Sequence, residues 1–81
     1  GRVYGGALMP LKRVGRWIIG QSANGAGKPC LTVYGTTLRT AWIDYPVQWP
    51  DGRIAYDRPE VIPARVKAAV ARLMPTLKAA S

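Results

Sequence analysis

Short runs of alternating apolar and polar residues, punctuated by glycine and proline, occupy the chain up to residue 56, and an apolar spacing of three and four residues follows from 63. Strands are therefore expected first and a helix last. Arg16-Trp17-Ile18-Ile19, flanked by Gly15 and Gly20, has the length and β-branched content of a strand, with Trp17 and Ile19 on one face. Cys30 to Tyr34 reads as a second strand, with Leu31 and Val33 inward and Thr32 and Tyr34 outward. These two are expected to pair antiparallel across a long polar loop, Gln21 to Pro29, in which Asn24-Gly25 is a candidate tight turn. Leu38 to Tyr45 is a third candidate strand, with Leu38, Thr40 and Trp42 on one side and Arg39, Ala41 and Ile43 on the other.

The stretch YPVQWPDGRIAY, Tyr45 to Tyr56, reads as the hairpin around which the chain is organised. Asp51-Gly52 suits the two positive-φ positions of a type I′ turn. A two-residue loop sets Trp49 opposite Ile54 and Val47 opposite Tyr56, gathering four large side chains on one face. A three-residue loop, Pro50 to Gly52, sets Trp49 opposite Arg53 and Val47 opposite Ala55 and splits that set. The two-residue register is expected, with Trp49 as a core anchor.

At the amino end, residues 1–14 are expected to form an extended arm or an edge strand, since Pro10 cannot donate to a central ladder. Asp57-Arg58-Pro59-Glu60 has capping-box spacing, but Pro63 limits it to a single turn. The main helix is expected over 63–74, with Val66, Ala69, Val70, Leu73 and Leu77 on one stripe and Pro75 ending it. The expected fold class is α+β: a small antiparallel sheet of three to five strands over 15–57, with one carboxy-terminal helix packed on one face. Trp17, Leu31, Val33, Trp42, Trp49, Ile54, Val66, Val70 and Leu73 are the expected core.

Eighty-one residues, 48% of them hydrophobic, suit one small folded domain, 1–81. A first residue of Gly, in place of Met, is expected of a chain that has been processed or excised from a longer one. No apolar run approaches the eighteen or so residues of a membrane span, and the single cysteine, Cys30, has no partner within the chain. A cytoplasmic location is the expectation.

Twelve Lys and Arg against four Asp and Glu leave a net charge of +8. It is polarised along the chain: +6 over 1–43, which hold no acid, −2 over 44–60, which hold all four, and +4 thereafter. Catalytic and metal chemistry find little support. Gly27-Lys28 ends a glycine-rich stretch, but a phosphate-binding P-loop requires glycine where Ser22 stands and a hydroxyl where Pro29 stands. One Cys and no His give no zinc set, and Cys30 lacks a histidine to activate it, so no cofactor or metal is expected. Asp44, Asp57 and Glu60 are adequately explained as partners of Arg53 and Arg58.

Basic residues interleaved with aromatics remain: Arg2, Tyr4, Lys12, Arg13, Arg16, Lys28, Tyr34 and Arg39. Strand alternation is expected to bring Arg16, Tyr34 and Arg39 together on an exposed sheet face. Lys and Arg neutralise phosphate and release counterions, while Tyr and Arg planes stack on bases. A noncatalytic module that binds DNA or RNA is therefore the leading expectation. A protein-interaction or inhibitor module of phage or plasmid type, docking on an acidic partner surface, is the alternative. A small histidine-free basic nuclease is a third.

Overall fold

The structure is a computed structural model that describes residues 8–37 and 40–77. Four strands run in sequence order as an antiparallel meander: β1 (Met9–Val14), β2 (Trp17–Ala23), β3 (Pro29–Thr37) and β4 (Thr40–Asp44). A separate two-stranded ribbon, β5 (Val47–Gln48) and β6 (Ile54–Ala55), follows. A single 3₁₀ turn at Pro59–Val61 leads to helix α1 (Ala64–Leu73), and a second 3₁₀ turn at Met74–Thr76 ends the described chain. This is the expected α+β arrangement. Pro63, expected as the first helical residue, instead holds the extended N-cap position with φ −59° and ψ 149°.

The sheet is organised by β2 and β3, not by the later hairpin. Their register pairs Trp17 with Gly35, Ile19 with Val33 and Gln21 with Leu31, so one face of both strands is apolar through its middle. Helix α1 covers that face. Trp17, Ile19, Leu31 and Val33 pack with Ile62, Val66, Ala69, Val70 and Met74 as the buried core, and Trp42, Ile54, Tyr56 and Leu73 lie half-buried against it. The stripe at helical spacing thus points inward as expected, and the core extends past Leu73 because the 3₁₀ turn keeps Met74 on the same side. Close packing has one sharp requirement. The Trp17 indole lies across Gly35, where a Cβ would stand 2.5 Å from its ring atoms.

Two expectations about the connections are corrected. The polar stretch from Gln21 to Pro29 is partly strand: β2 continues to Ala23 and β3 begins at Pro29, so a shorter turn than expected, Asn24 to Lys28, lies between. The hairpin from Tyr45 to Tyr56 takes the three-residue register instead of the two-residue one. Val47 pairs with Ala55 and Gln48 with Ile54, around the loop Pro50-Asp51-Gly52. Proline explains the choice. A two-residue loop would close on a Pro50–Arg53 pair, and Pro50 has no N–H to give to the Arg53 carbonyl. In the observed loop the Trp49 N–H donates to that carbonyl at 2.7 Å, and Gly52, at φ +95°, returns its N–H to the Trp49 carbonyl at 2.8 Å.

Trp49 consequently leaves the core. It is 49% exposed, with the Arg53 guanidinium 5.3 Å from its ring centroid, and Arg53 is held in turn by Asp51 at 3.0 Å. Val47 is also exposed, whereas Ile54 and Tyr56 pack against the core, so the four large side chains do not share one buried face.

Candidate functional site

Because α1 covers one side of the sheet only, the alternate residues of β1 to β4 form a second face. Register fixes its membership. Arg13 pairs with Ile18, Ile18 with Tyr34, and Tyr34 with Ile43, which makes one continuous cross-strand row. Beside that row an open groove of about 400 Å³ is lined by Leu8, Ser22, Thr32, Tyr34, Ile43 and Tyr45, among others. Gly20 shapes one wall, since Leu8 approaches so closely that a Cβ there would lie 2.6 Å from its Cδ1. The floor is polar. Ser22 Oγ lies 2.9 Å from Thr32 Oγ1 and 3.3 Å from Cys30 Sγ, which places the cysteine in a hydroxyl cluster with no base beside it in the sequence.

Arginines gather at one end of this face, around the β1–β2 turn. The Arg13 Nε–H donates to the Gly15 carbonyl at 3.2 Å, Arg16 occupies the turn itself, and Arg65 reaches in from the first turn of α1. Its Nη2 sits 3.0 Å from where a Gly15 Cβ would be. Among the described residues the only ion pair is Arg53–Asp51, at the far hairpin, so none of these three guanidinium groups is neutralised by a carboxylate.

Acids are kept off the open face. β1, β2 and β3 contain none, and Asp44 of β4 pairs with Val33, which directs it to the helix side. There it is buried, and its carboxylate accepts the backbone N–H of Asp57 at 3.0 and 3.2 Å and that of Arg58 at 3.1 Å. The expected partnership of Asp44, Asp57 and Glu60 with Arg53 and Arg58 is corrected: among the described residues the one ion pair joins Arg53 to Asp51, and Asp44 meets Arg58 only at its backbone N–H. The Arg58 guanidinium stacks on Trp42, 4.7 Å from the ring centroid. Beneath this region the Tyr56 hydroxyl is buried without a hydrogen-bond partner. Burial, and secondarily the charge of Asp44, push its pKa above the ordinary phenol value of 10.0.

Of the residues singled out in the sequence, Arg13 and Tyr34 share the open face and Arg16 adjoins it. Lys12 pairs with Ile19 and so belongs to the helix-side face of the edge strand, while Lys28 lies at the opposite end of the sheet, beyond the β2–β3 turn. Arg2, Tyr4 and Arg39 fall outside the described residues. Sequence reasoning missed Tyr45 and Arg65. Tyr45 follows Ile43 at the two-residue period and was legible in that way, whereas the approach of Arg65 to Gly15 is a tertiary contact that no local pattern encodes.

Comparison with protein-family models, with curated proteins and with solved structures gives no match. Among the described residues, no helix is long and apolar enough to cross a membrane.

Proposed function

We propose that this chain is a noncatalytic nucleic-acid-binding module that uses the open face of its sheet. The observation that carries this reading is the segregation of charge and aromatics on that face. Three unpaired arginines at the β1–β2 turn adjoin a row and groove containing Tyr34 and Tyr45, and the one acid of β4 is turned away and buried. Guanidinium groups free of carboxylates are available to phosphate oxygens, and the half-buried Tyr34 and the exposed Tyr45 are side chains of the kind on which bases stack.

The test is a salt titration with charge reversal. Binding to short oligonucleotides should weaken linearly in log salt, and Arg13→Glu with Arg16→Glu should lower the slope by roughly one for each phosphate no longer neutralised. Lys28→Glu with Arg72→Glu makes the same change in net charge at exposed positions away from the turn and should matter much less. Equal losses from both pairs would show that only net charge is read. No binding at low salt to DNA or RNA would end the proposal.

A second reading has its own observation. Val47 and Trp49 are exposed on the β5–β6 ribbon, and Arg53 beside them is already neutralised by Asp51. Such a tip suits a protein surface better than phosphate, since exposed Trp and Arg are the side chains that most often anchor protein interfaces. A protein retained after nuclease treatment and lost on Trp49→Ala would support this reading over the first.

A further inference from the structure

Resting on the nucleic-acid reading, we infer that the ligand is single-stranded and that one unpaired base enters the groove beside Tyr34 and Tyr45, with its polar edge toward Ser22 and Thr32.

Width argues against a duplex. Four strands at about 4.8 Å spacing set the outer strand axes roughly 14 Å apart before any side chain is added. The major groove of B-DNA is about 12 Å wide and takes a helix or a two-stranded ribbon. This sheet is too broad to enter, and β2 and β3, which carry most of the groove floor, are its central strands. A duplex also keeps its bases paired and stacked, so offering one to the groove would require unpairing it and flipping it out of the stack. A single strand meets neither obstacle.

The groove has the composition that a base needs. Its volume of about 400 Å³ exceeds what two or three ordered waters require, and its walls are Leu8, Ile43 and the two tyrosines. Flat aromatic surface bears the stacking of any base and is indifferent to its identity. The floor adds hydroxyls. Each of Ser22 and Thr32 has one O–H and two lone pairs; the 2.9 Å bond between them and the 3.3 Å bond of Ser22 with Cys30 Sγ use two of the three positions of Ser22 and one of the three of Thr32. Capacity remains for the donors and acceptors of a base edge. Arg13 ends the Arg13–Ile18–Tyr34–Ile43 row on the same face and Arg16 stands in the turn beside it, so a strand with a base in the groove can run its phosphates toward the β1–β2 turn.

The experiment is fluorescence anisotropy with a labelled mixed-sequence 12-mer, as DNA and as RNA, each single-stranded and annealed to its complement, on the parent chain and on Tyr34→Ala, Tyr45→Ala and the Arg13→Glu/Arg16→Glu pair. Either single strand should bind at least tenfold more tightly than its duplex. Each tyrosine substitution should weaken single-strand binding roughly ten- to a hundredfold and leave duplex binding unchanged. The arginine pair should weaken both. Tyr45 is 54% exposed, so its variant should fold and keeps the test decisive if Tyr34→Ala does not. Equal affinity for single strand and duplex, with both tyrosine variants unaffected, would overturn the inference while leaving a nucleic-acid module in place. Absence of binding to every probe at low salt would remove the underlying reading, and the inference with it.

Discussion

Gly35 shows how much of this fold depends on the absence of one atom. Trp17 is the largest core side chain, and it lies flat on the sheet only because its cross-strand partner has no Cβ. Alanine at Gly35 would press a methyl into the indole, an overpacking change of the kind that costs about 1–3 kcal/mol. A chemical denaturation curve should show that loss with the m-value unchanged. Tyr56 presents the converse case, a polar atom with nothing to bond. Its pKa is raised in the folded state by burial and by Asp44, so the folded chain holds a proton that the unfolded chain releases near pH 10. The resulting stability is complete below pH 10 and is lost as pH rises through the folded value. Tyr56→Phe removes both the orphaned hydroxyl and the titration. It should melt no lower than the parent at pH 7 and lose less stability between pH 9 and 11.

At the scale of elements, the turns were the least legible part of the sequence. The β2–β3 and β5–β6 connections prove to be the same device. In each, three residues separate a closing pair, Asn24 with Lys28 and Trp49 with Arg53, and a glycine with positive φ stands third, Gly27 at +81° and Gly52 at +95°. Side-chain oxygens brace both loops: Asn24 Oδ1 accepts from Ala26 and Lys28, and Asp51 Oδ1 accepts from Arg53. The dipeptides Asn24-Gly25 and Asp51-Gly52 signal turns correctly, but their usual two-residue geometry is overridden, by Pro50 in the second case. I′ turns need positive φ at two positions, and no residue other than glycine adopts it among the described residues.

That override moves Trp49 from core to surface. Trp49→Ala should now cost only about 0.5–1 kcal/mol, the worth of an exposed cation–π contact, and shift the melting temperature by a few degrees. Elements with clear periodicity are more legible. The alternation of Leu31 and Val33 against Thr32 and Tyr34, and the α1 stripe, can be read directly because each has one face forced inward. Asp44 cannot, because a strand acid looks like a surface charge, and nothing local shows that it will brace the chain at Asp57 and Arg58. Asp44→Ala should destabilise by about 2–3 kcal/mol, since it removes charged acceptors from backbone N–H groups in a part-buried site. Asp44→Asn, which keeps one acceptor oxygen, should lose less in the same melts.

For the molecule as a whole, the charge polarity written along the sequence becomes a polarity in space only through the meander. β1 and the turn after it carry Lys12, Arg13 and Arg16, β1 to β3 hold no acid, β4 turns its single acid inward, and the remaining acids lie in the hairpin and in the bend and 3₁₀ turn that follow. The sheet is left with a helix on one side and, on the other, a face that carries Tyr34 and Ile43 with Arg13 at its edge. Composition made a phosphate-binding chain expected, and strand alternation brought Arg13 and Tyr34 to one face. Which basic residues lie together was not readable, because Lys12 and Arg13 are neighbours in sequence on opposite faces, while Arg65, far along the sequence, reaches Gly15 in the turn that also holds Arg16.

That surface makes the most direct test a map of where nucleic acid touches the chain. Backbone amide chemical shifts of isotopically labelled protein, followed during titration with a short oligonucleotide, should move at Arg13, Gly15, Arg16, Ile18, Thr32, Tyr34 and Ile43, with the outer side of α1 and the β5–β6 ribbon unmoved. Shifts confined to the ribbon around Trp49, or spread evenly over every basic residue, would contradict the assignment of the open sheet face as the binding surface.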